Sequence, residues 1–160
     1  MGNKILLLQP ELCVGCKSCE LACSLKHGNF FSPVKSCISV LTSPLKFSVP
    51  LTCLQCDDPA CAKVCVTDAL HKNPKTGVIE YEASKCIGCR LCVSACPFGN
   101  ITYNKDTSKV IKCDVCGGDP ECAKFCPTGA ISWVTEDIET LTRKKVMSDK
   151  FEAIFRKEDQ

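Results

Sequence analysis

The chain has 160 residues, 45% of them hydrophobic, and a formal net charge of +2. That length fits one domain or two very small ones, and no apolar run approaches the roughly 18 residues of a membrane span. Direct membrane insertion is therefore not expected. Seventeen residues are cysteine, a density that would suggest a disulfide scaffold in a short secreted protein. However, only the four apolar residues Ile5 to Leu8 stand between Lys4 and Gln9-Pro10, too few for a secretory leader. A cytoplasmic protein is expected, in a reducing compartment where thiols bind metal and disulfides are uncommon.

Along the chain, Lys4 to Leu8 reads as a short strand. It leads into a first quartet of cysteines, Cys13, Cys16, Cys19 and Cys23. Ser18 to Leu25 reads as a helical turn ending near Gly28. Ser36 to Leu41 alternates and is β-rich, which predicts a strand. It carries the one cysteine outside any quartet, Cys37, expected to be a buried free thiol. Thr42 to Pro50 contains Ser43-Pro44 and Val49-Pro50 and predicts a loop. The second quartet follows: Cys53, Cys56, Cys61 and Cys65. Asn73-Pro74-Lys75-Thr76-Gly77 predicts a turn between strands at Ala69 to Lys72 and Val78 to Tyr81. The third quartet, Cys86, Cys89, Cys92 and Cys96, ends in Pro97, and Ile101 to Tyr103 with Val110-Ile111 predicts a second hairpin. The fourth, Cys113, Cys116, Cys122 and Cys126, ends in Pro127 and leads to a final strand, Ala130 to Val134. Residues 135–160 carry no cysteine and are highly charged. Phe151, Ile154 and Phe155 sit there at helical spacing, as a surface helix of the fold or as a docking element for a partner.

Three quartets are followed by a turn and an apolar residue: Thr67-Asp68-Ala69-Leu70, Pro97-Phe98-Gly99-Asn100-Ile101 and Pro127-Thr128-Gly129-Ala130-Ile131. Repeated half-motifs predict paired sites. The spacing C-x₂-C-x₂-C-x₃-C ligates paired [4Fe–4S] clusters, with three close cysteines on one cluster and the fourth on its neighbour. The fourth cysteine is expected to start a helix-like turn that points away from its own loop. Sixteen thiolates predict four clusters. Backbone amides of the tight loops would hydrogen-bond the sulfurs and tune the potential. With four cores of roughly +2 each, the loaded chain carries about −6, which argues against a nucleic-acid partner. Arg143-Lys144-Lys145 reads as a solvated face. Zinc sites use two C-x₂-C pairs, so the third and fourth cysteines suit cubane clusters better, and a zinc-binding structural module is the remote alternative. His27 and His71 lack ligand-like spacing. No Ser/His/Asp or Cys/His constellation suggests a catalytic site. Metal loss should unfold the chain.

The full set, C-x₂-C-x₂-C-x₃-C, C-x₂-C-x₄-C-x₃-C, C-x₂-C-x₂-C-x₃-C-P and C-x₂-C-x₅-C-x₃-C-P, resembles the four-cluster ferredoxin subunits of the DMSO reductase iron–sulfur family, from about Ile5 to Val134. The resemblance implies an α+β fold of two fused bacterial-type 2[4Fe–4S] ferredoxin-like modules over residues 1–134, with residues 135–160 as an extension. It implies that quartets one and four pair, and that two and three pair. One cluster would take Cys13, Cys16 and Cys19 with Cys126, and its neighbour Cys113, Cys116 and Cys122 with Cys23. A third would take Cys53, Cys56 and Cys61 with Cys96, and the fourth Cys86, Cys89 and Cys92 with Cys65. Some relatives lack one cysteine of the third quartet and hold a [3Fe–4S] centre; the quartet is complete here, so four [4Fe–4S] centres are expected. The implied function is a non-catalytic electron-transfer subunit. It would relay single electrons between a large catalytic oxidoreductase subunit and an external carrier or further subunit. A tungsten or molybdenum pterin enzyme is the favoured partner, first a tungsten enzyme resembling aldehyde ferredoxin oxidoreductase. Hydrogenase, formate dehydrogenase and carbon monoxide dehydrogenase are the other candidates. The alternative is a free-standing polyferredoxin.

Overall fold

The computed structural model describes residues 4–44, 47–135, 137–138 and 140–141. In chain order they form strand β1 (Lys4–Leu8), helix α1 (Ser18–Gly28), strands β2 (Ile38–Thr42) and β3 (Ser48–Thr52), and helix α2 (Ala60–Lys63). Then come β4 (Leu70–Lys72), β5 (Ile79–Tyr81), α3 (Leu91–Ala95), β6 (Ile101–Asn104), β7 (Lys109–Lys112), α4 (Glu121–Lys124) and β8 (Ile131–Thr135). This is a small α+β domain of mixed helices and two-stranded sheets. Three sheets join sequence neighbours. The fourth pairs β1 with β8, Lys4 opposite Thr135 and Leu8 opposite Ile131, and so draws the two ends of the described chain together. Among the described residues no helix is long and apolar enough to cross a membrane.

Two apolar cores result. One gathers Cys19, Cys23, Ile38, Val40, Cys122 and Ile131, where α1 packs on α4. The other gathers Cys61, Leu70, Ile79, Cys92, Ile101 and Val110, where α2 packs on α3. The repeated turn explains three of these residues. Asp68, Gly99 and Gly129 each adopt positive φ, and their amides bond back to the carbonyls of Cys65, Cys96 and Cys126. The reversal drops Leu70, Ile101 and Ile131 into the cores at 1–2% exposure.

Several expectations need correction. Ser48–Thr52, within and just past the expected loop, is a strand paired with β2. Its proline, Pro50, stands opposite Val40 in a two-stranded sheet, an edge position where a missing N–H is tolerated. The preceding strand starts at Ile38 and not Ser36, because Pro33–Lys35 forms a 3₁₀ turn first. The final strand runs one residue past Val134, to Thr135. The fourth cysteines do not start helices. Helices α2, α3 and α4 hold the third cysteine and end before the fourth. Pro97 and Pro127 enforce that ending, since proline cannot continue a helix and pushes the residue before it into an extended conformation. The expected helix through Phe151, Ile154 and Phe155 lies outside the described residues.

Candidate metal centres

The loops that carry the first three cysteines of each quartet fold tightly because residues in them take left-handed backbone angles. In the first quartet these are Gly15 (φ 70°) and Lys17 (φ 60°), and in the third Gly88 (φ 72°) and Arg90 (φ 65°). Such turns aim successive amides at one point, a concavity suited to anionic sulfur. Glycine is required twice over. A Cβ on Gly15 would lie 2.6 Å from Ser48 Oγ, and one on Gly88 would run into the Ser108 carbonyl oxygen.

Burial repeats as well. The third cysteine of every quartet, Cys19, Cys61, Cys92 and Cys122, is buried in its helix, whereas Cys16 and Cys89 are exposed. The fold then brings cysteines from different quartets together. One small cavity is lined by Cys53, Cys56, Cys61 and Cys96 with Ile79 and Ile101. A second is lined by Cys65, Cys86, Cys89 and Cys92 with Leu70. A third is lined by Cys13, Cys16, Cys19 and Cys126 with Ile131. Of the remaining four, Cys122 feels the charges of Cys113, Cys23 and Cys116, and also that of Cys19. A broader cleft lined by Lys4, Lys75 and Trp133 contains no cysteine.

The electrostatics of these groups call for a cation. Burial pushes the Cys19 and Cys113 thiols up to about 11. Burial, then the charges of Cys113, Cys23 and Cys116, push Cys122 further. Thiolates crowded in apolar surroundings are stable once a metal balances them, and metal binding displaces their protons. Pre-set donors surround the sulfurs. The Cys37 amide lies 3.3 Å from Cys23 Sγ and the Val115 amide 3.4 Å from Cys113 Sγ. Thr67 and Thr128 hydroxyls sit 3.8 and 3.9 Å from the Cys65 and Cys126 sulfurs. Tyr81 has a buried hydroxyl without a well-formed hydrogen bond, and the thiol it acts on is Cys86. Burial raises Cys86, but the Tyr81 hydroxyl and the Gly88 and Val110 amides outweigh it and the thiol is lowered. The donors around each of the three cavities are four sulfurs. That chemistry fits cubane iron–sulfur clusters.

Two neighbours escaped the sequence reading. Cys37 is not an isolated strand thiol: it precedes β2, is half-buried, and meets Cys23. Its hydrogen bond to Cys23 is the chief reason that the Cys23 thiol falls to about 6, while Cys37 itself is raised. No spacing rule places it there, because the contact depends on how β2 lies against α1. His27 Nε2 lies 3.7 Å from Cys116 Sγ and 3.5 Å from Asp114 Oδ1, a hydrogen-bonding role as expected for a histidine outside ligand spacing. Lys112 was also missed. It looks like an ordinary strand-end lysine, yet it is 5% exposed.

Residues 45–136 match the 4Fe–4S dicluster domain family, and residues 10–26 match a 4Fe–4S binding domain. The chain is 40% identical over 121 residues to the aliphatic sulfonate oxidoreductase, polyferredoxin-like subunit, of Pyrococcus furiosus, spanning 76% of this chain and 70% of that one. It is 33% identical over 156 residues to the putative electron transport protein YsaA of Escherichia coli, 90% of this chain and 96% of that one. The iron–sulfur subunit of the nitrate-inducible formate dehydrogenase of Escherichia coli is 30% identical over 158 residues, 81% of this chain and 53% of that one. The chain thus spans about half the length of that formate dehydrogenase subunit.

Proposed function

We propose that this chain, which belongs to the 4Fe–4S dicluster domain family, is an electron-transfer subunit that holds four [4Fe–4S] clusters beside a catalytic oxidoreductase subunit. The observation that carries the reading is that twelve of the sixteen quartet cysteines line three cavities, four to each. Cys13, Cys16, Cys19 and Cys126 would hold one cluster, and Cys23, Cys113, Cys116 and Cys122 a second. Cys53, Cys56, Cys61 and Cys96 would hold a third, and Cys65, Cys86, Cys89 and Cys92 the fourth. Bound there, each cluster supplies one-electron redox chemistry. The chain's own residues do the rest. The thiolates fix the position of each site, Ile79, Ile101, Leu70 and Ile131 exclude water, the amides and threonines hydrogen-bond the sulfurs, and the Tyr81 hydroxyl lowers Cys86.

Two groups reach the surface through an exposed second cysteine, Cys16 and Cys89, beside the exposed apolar residues Val14 and Ile87. We assign these as the two faces offered to redox partners, with the Cys16 face toward the catalytic subunit. The domain would consist of two fused ferredoxin-like modules over residues 1–134, with residues 135–160 as a docking extension and no catalytic centre of its own. Relatives named as subunits of a sulfonate oxidoreductase and a formate dehydrogenase support a catalytic partner. A tungsten or molybdenum enzyme is the favoured class. A second reading, a free-standing carrier, draws on the similarity to a putative electron transport protein covered over 96% of its length.

Anaerobic purification from the native host with metal analysis decides among these. Roughly sixteen irons per chain, co-eluting with a large subunit that contains tungsten or molybdenum, is the expected result. The same iron on a lone small chain favours the carrier, and zinc in place of iron overturns both.

A further inference from the structure

Lys112 ends β7, next to Cys113, and is 5% exposed. A buried ammonium is costly unless its charge is balanced. Its Nζ donates to two carbonyls, Ile79 at 2.8 Å and Cys113 at 2.6 Å. No carboxylate among the described residues forms an ion pair with it. Lys109 likewise donates to a loop carbonyl, that of Cys86, with no carboxylate partner among the described residues, but it is only half-buried. Lys72 also bonds a loop carbonyl, that of Cys56, but pairs with Asp57 at 2.9 Å and is more open to solvent.

The two carbonyls belong to the surroundings of two different cysteine groups. Ile79 lines the cavity of Cys53, Cys56, Cys61 and Cys96, while Cys113 belongs with Cys23, Cys116 and Cys122. Gln55, from the loop between Cys53 and Cys56, closes the same seam. Its Nε2 donates to the Cys113 carbonyl at 3.0 Å and its Oε1 accepts the Ile79 amide at 2.9 Å. Lys112, Cys113, Gln55 and Ile79 thus form a ring of hydrogen bonds between the two halves of the molecule. The ammonium charge acts on thiols of both groups. Burial raises Cys61 and Cys113, and Lys112 opposes that rise at each. Cys53 in turn acts on Cys113.

We propose that Lys112 is a positioning residue for electron transfer: a fixed positive charge at the seam between the Cys53–Cys56–Cys61–Cys96 and Cys23–Cys113–Cys116–Cys122 sites that holds both their midpoint potentials up together. The proposal rests on the four-cluster reading above. Each site that accepts one electron gains one negative charge, and no proton need follow. A nearby fixed cation in a water-poor seam favours that gain at both sites. The half of the chain that supplies Lys112 thereby couples the two inner sites electrostatically, and leaves the two surface-reaching sites unaffected.

The test is a redox titration, followed by electron paramagnetic resonance, of the fully loaded protein and its Lys112→Met, Lys112→Gln and Lys112→Arg variants, with iron counted in each. If the wild-type protein holds zinc, or too little iron for four clusters, the underlying reading fails before any variant is compared. Given four clusters, the neutral variants should retain iron and lower two of the four midpoints, each by at least a tenfold change in the oxidised-to-reduced ratio at fixed potential. Lys112→Arg should restore both. Four unmoved midpoints, or four that move equally, would overturn the proposal. So would loss of iron from both neutral variants, which would make Lys112 a residue of assembly only.

Discussion

The two halves of the molecule solve the same problem differently. The half containing Cys61 and Cys92 is built from sequence neighbours, with two tight hairpins, β4–β5 and β6–β7, and two short helices, α2 and α3. The half containing Cys19 and Cys122 is assembled from the two ends of the described chain. β1 pairs with β8, α1 packs on α4, and the β2–β3 hairpin is laid across them. Its joints are polar as well as apolar: buried Glu20 on α1 accepts the Val40 amide at 2.5 Å. The half that is inner in sequence is fixed by local turns, whereas the half that is outer in sequence depends on closure over more than a hundred residues. A chain rich in local contacts pays little loop-closure entropy, and distant closure costs more. The shared requirement is inorganic, since both cores include cysteines that are metal ligands in the proposed function.

That comparison is broken most severely by removing the metal. Anaerobic chelation of the loaded protein should abolish most of the far-ultraviolet circular dichroism of both halves, because two-stranded hairpins are marginal alone and each core would lose its organising centres. Amide exchange sharpens the outcome. Protection that persists at Ile79, Ile101 and Val110 after chelation would mean that the inner half has a core independent of metal. A smaller contrast comes from the two glycines. Gly88→Ala in the inner half meets a backbone carbonyl as well as a positive φ, whereas Gly15→Ala in the outer half meets a serine side chain that can swing aside. Gly88→Ala should destabilise by about 1–3 kcal/mol and lose iron from its site; Gly15→Ala should cost about 1 kcal/mol less. Denaturant midpoints of the loaded variants measure the difference, and equal costs would show that φ alone decides.

The inner half was also the more legible in the sequence. Asn73 to Gly77 announced the β4–β5 turn, and the structure closes it with the Asn73 side chain accepting from the Lys75 and Thr76 amides. The strand pair around residues 104–109 and the apolar residues after each quartet were readable for the same local reason. What stayed hidden is what depends on distant parts. Strand β3 was masked by Pro50, and its pairing follows from where β2 lies. Gln55 and Lys112 are ordinary polar residues until the halves meet and bury the seam. Cys37 looked detached because spacing ties a cysteine to its own loop, whereas this one is brought to Cys23 by the packing of β2 against α1. The grouping of the sixteen cysteines likewise could not come from spacing inside one quartet. It came from resemblance, and the cavities give it a physical setting.

The smallest effect asked of the comparison concerns one donor in each half. In the outer half the Cys37 thiol hydrogen-bonds Cys23 and draws it down to about 6. In the inner half the Tyr81 hydroxyl helps to lower Cys86. Both stabilise negative charge on a sulfur assigned to a cluster, so removing either makes an added electron less favourable and lowers that site's midpoint. Cys37→Ala leaves the Cys37 amide, 3.3 Å from Cys23 Sγ, in place, and Tyr81→Phe leaves the Gly88 and Val110 amides at Cys86. Each variant therefore removes one polar group that acts on a sulfur, worth about 1 kcal/mol, or about fivefold in the oxidised-to-reduced ratio, and moves one midpoint where Lys112→Met moves two. The affected site must differ between the two variants, and Cys37→Ser, which keeps a donor, should stay near the wild type. If Cys37→Ala and Tyr81→Phe moved the same midpoint, Cys23 and Cys86 would serve one site, and the division of the sixteen cysteines between the halves would have to be redrawn.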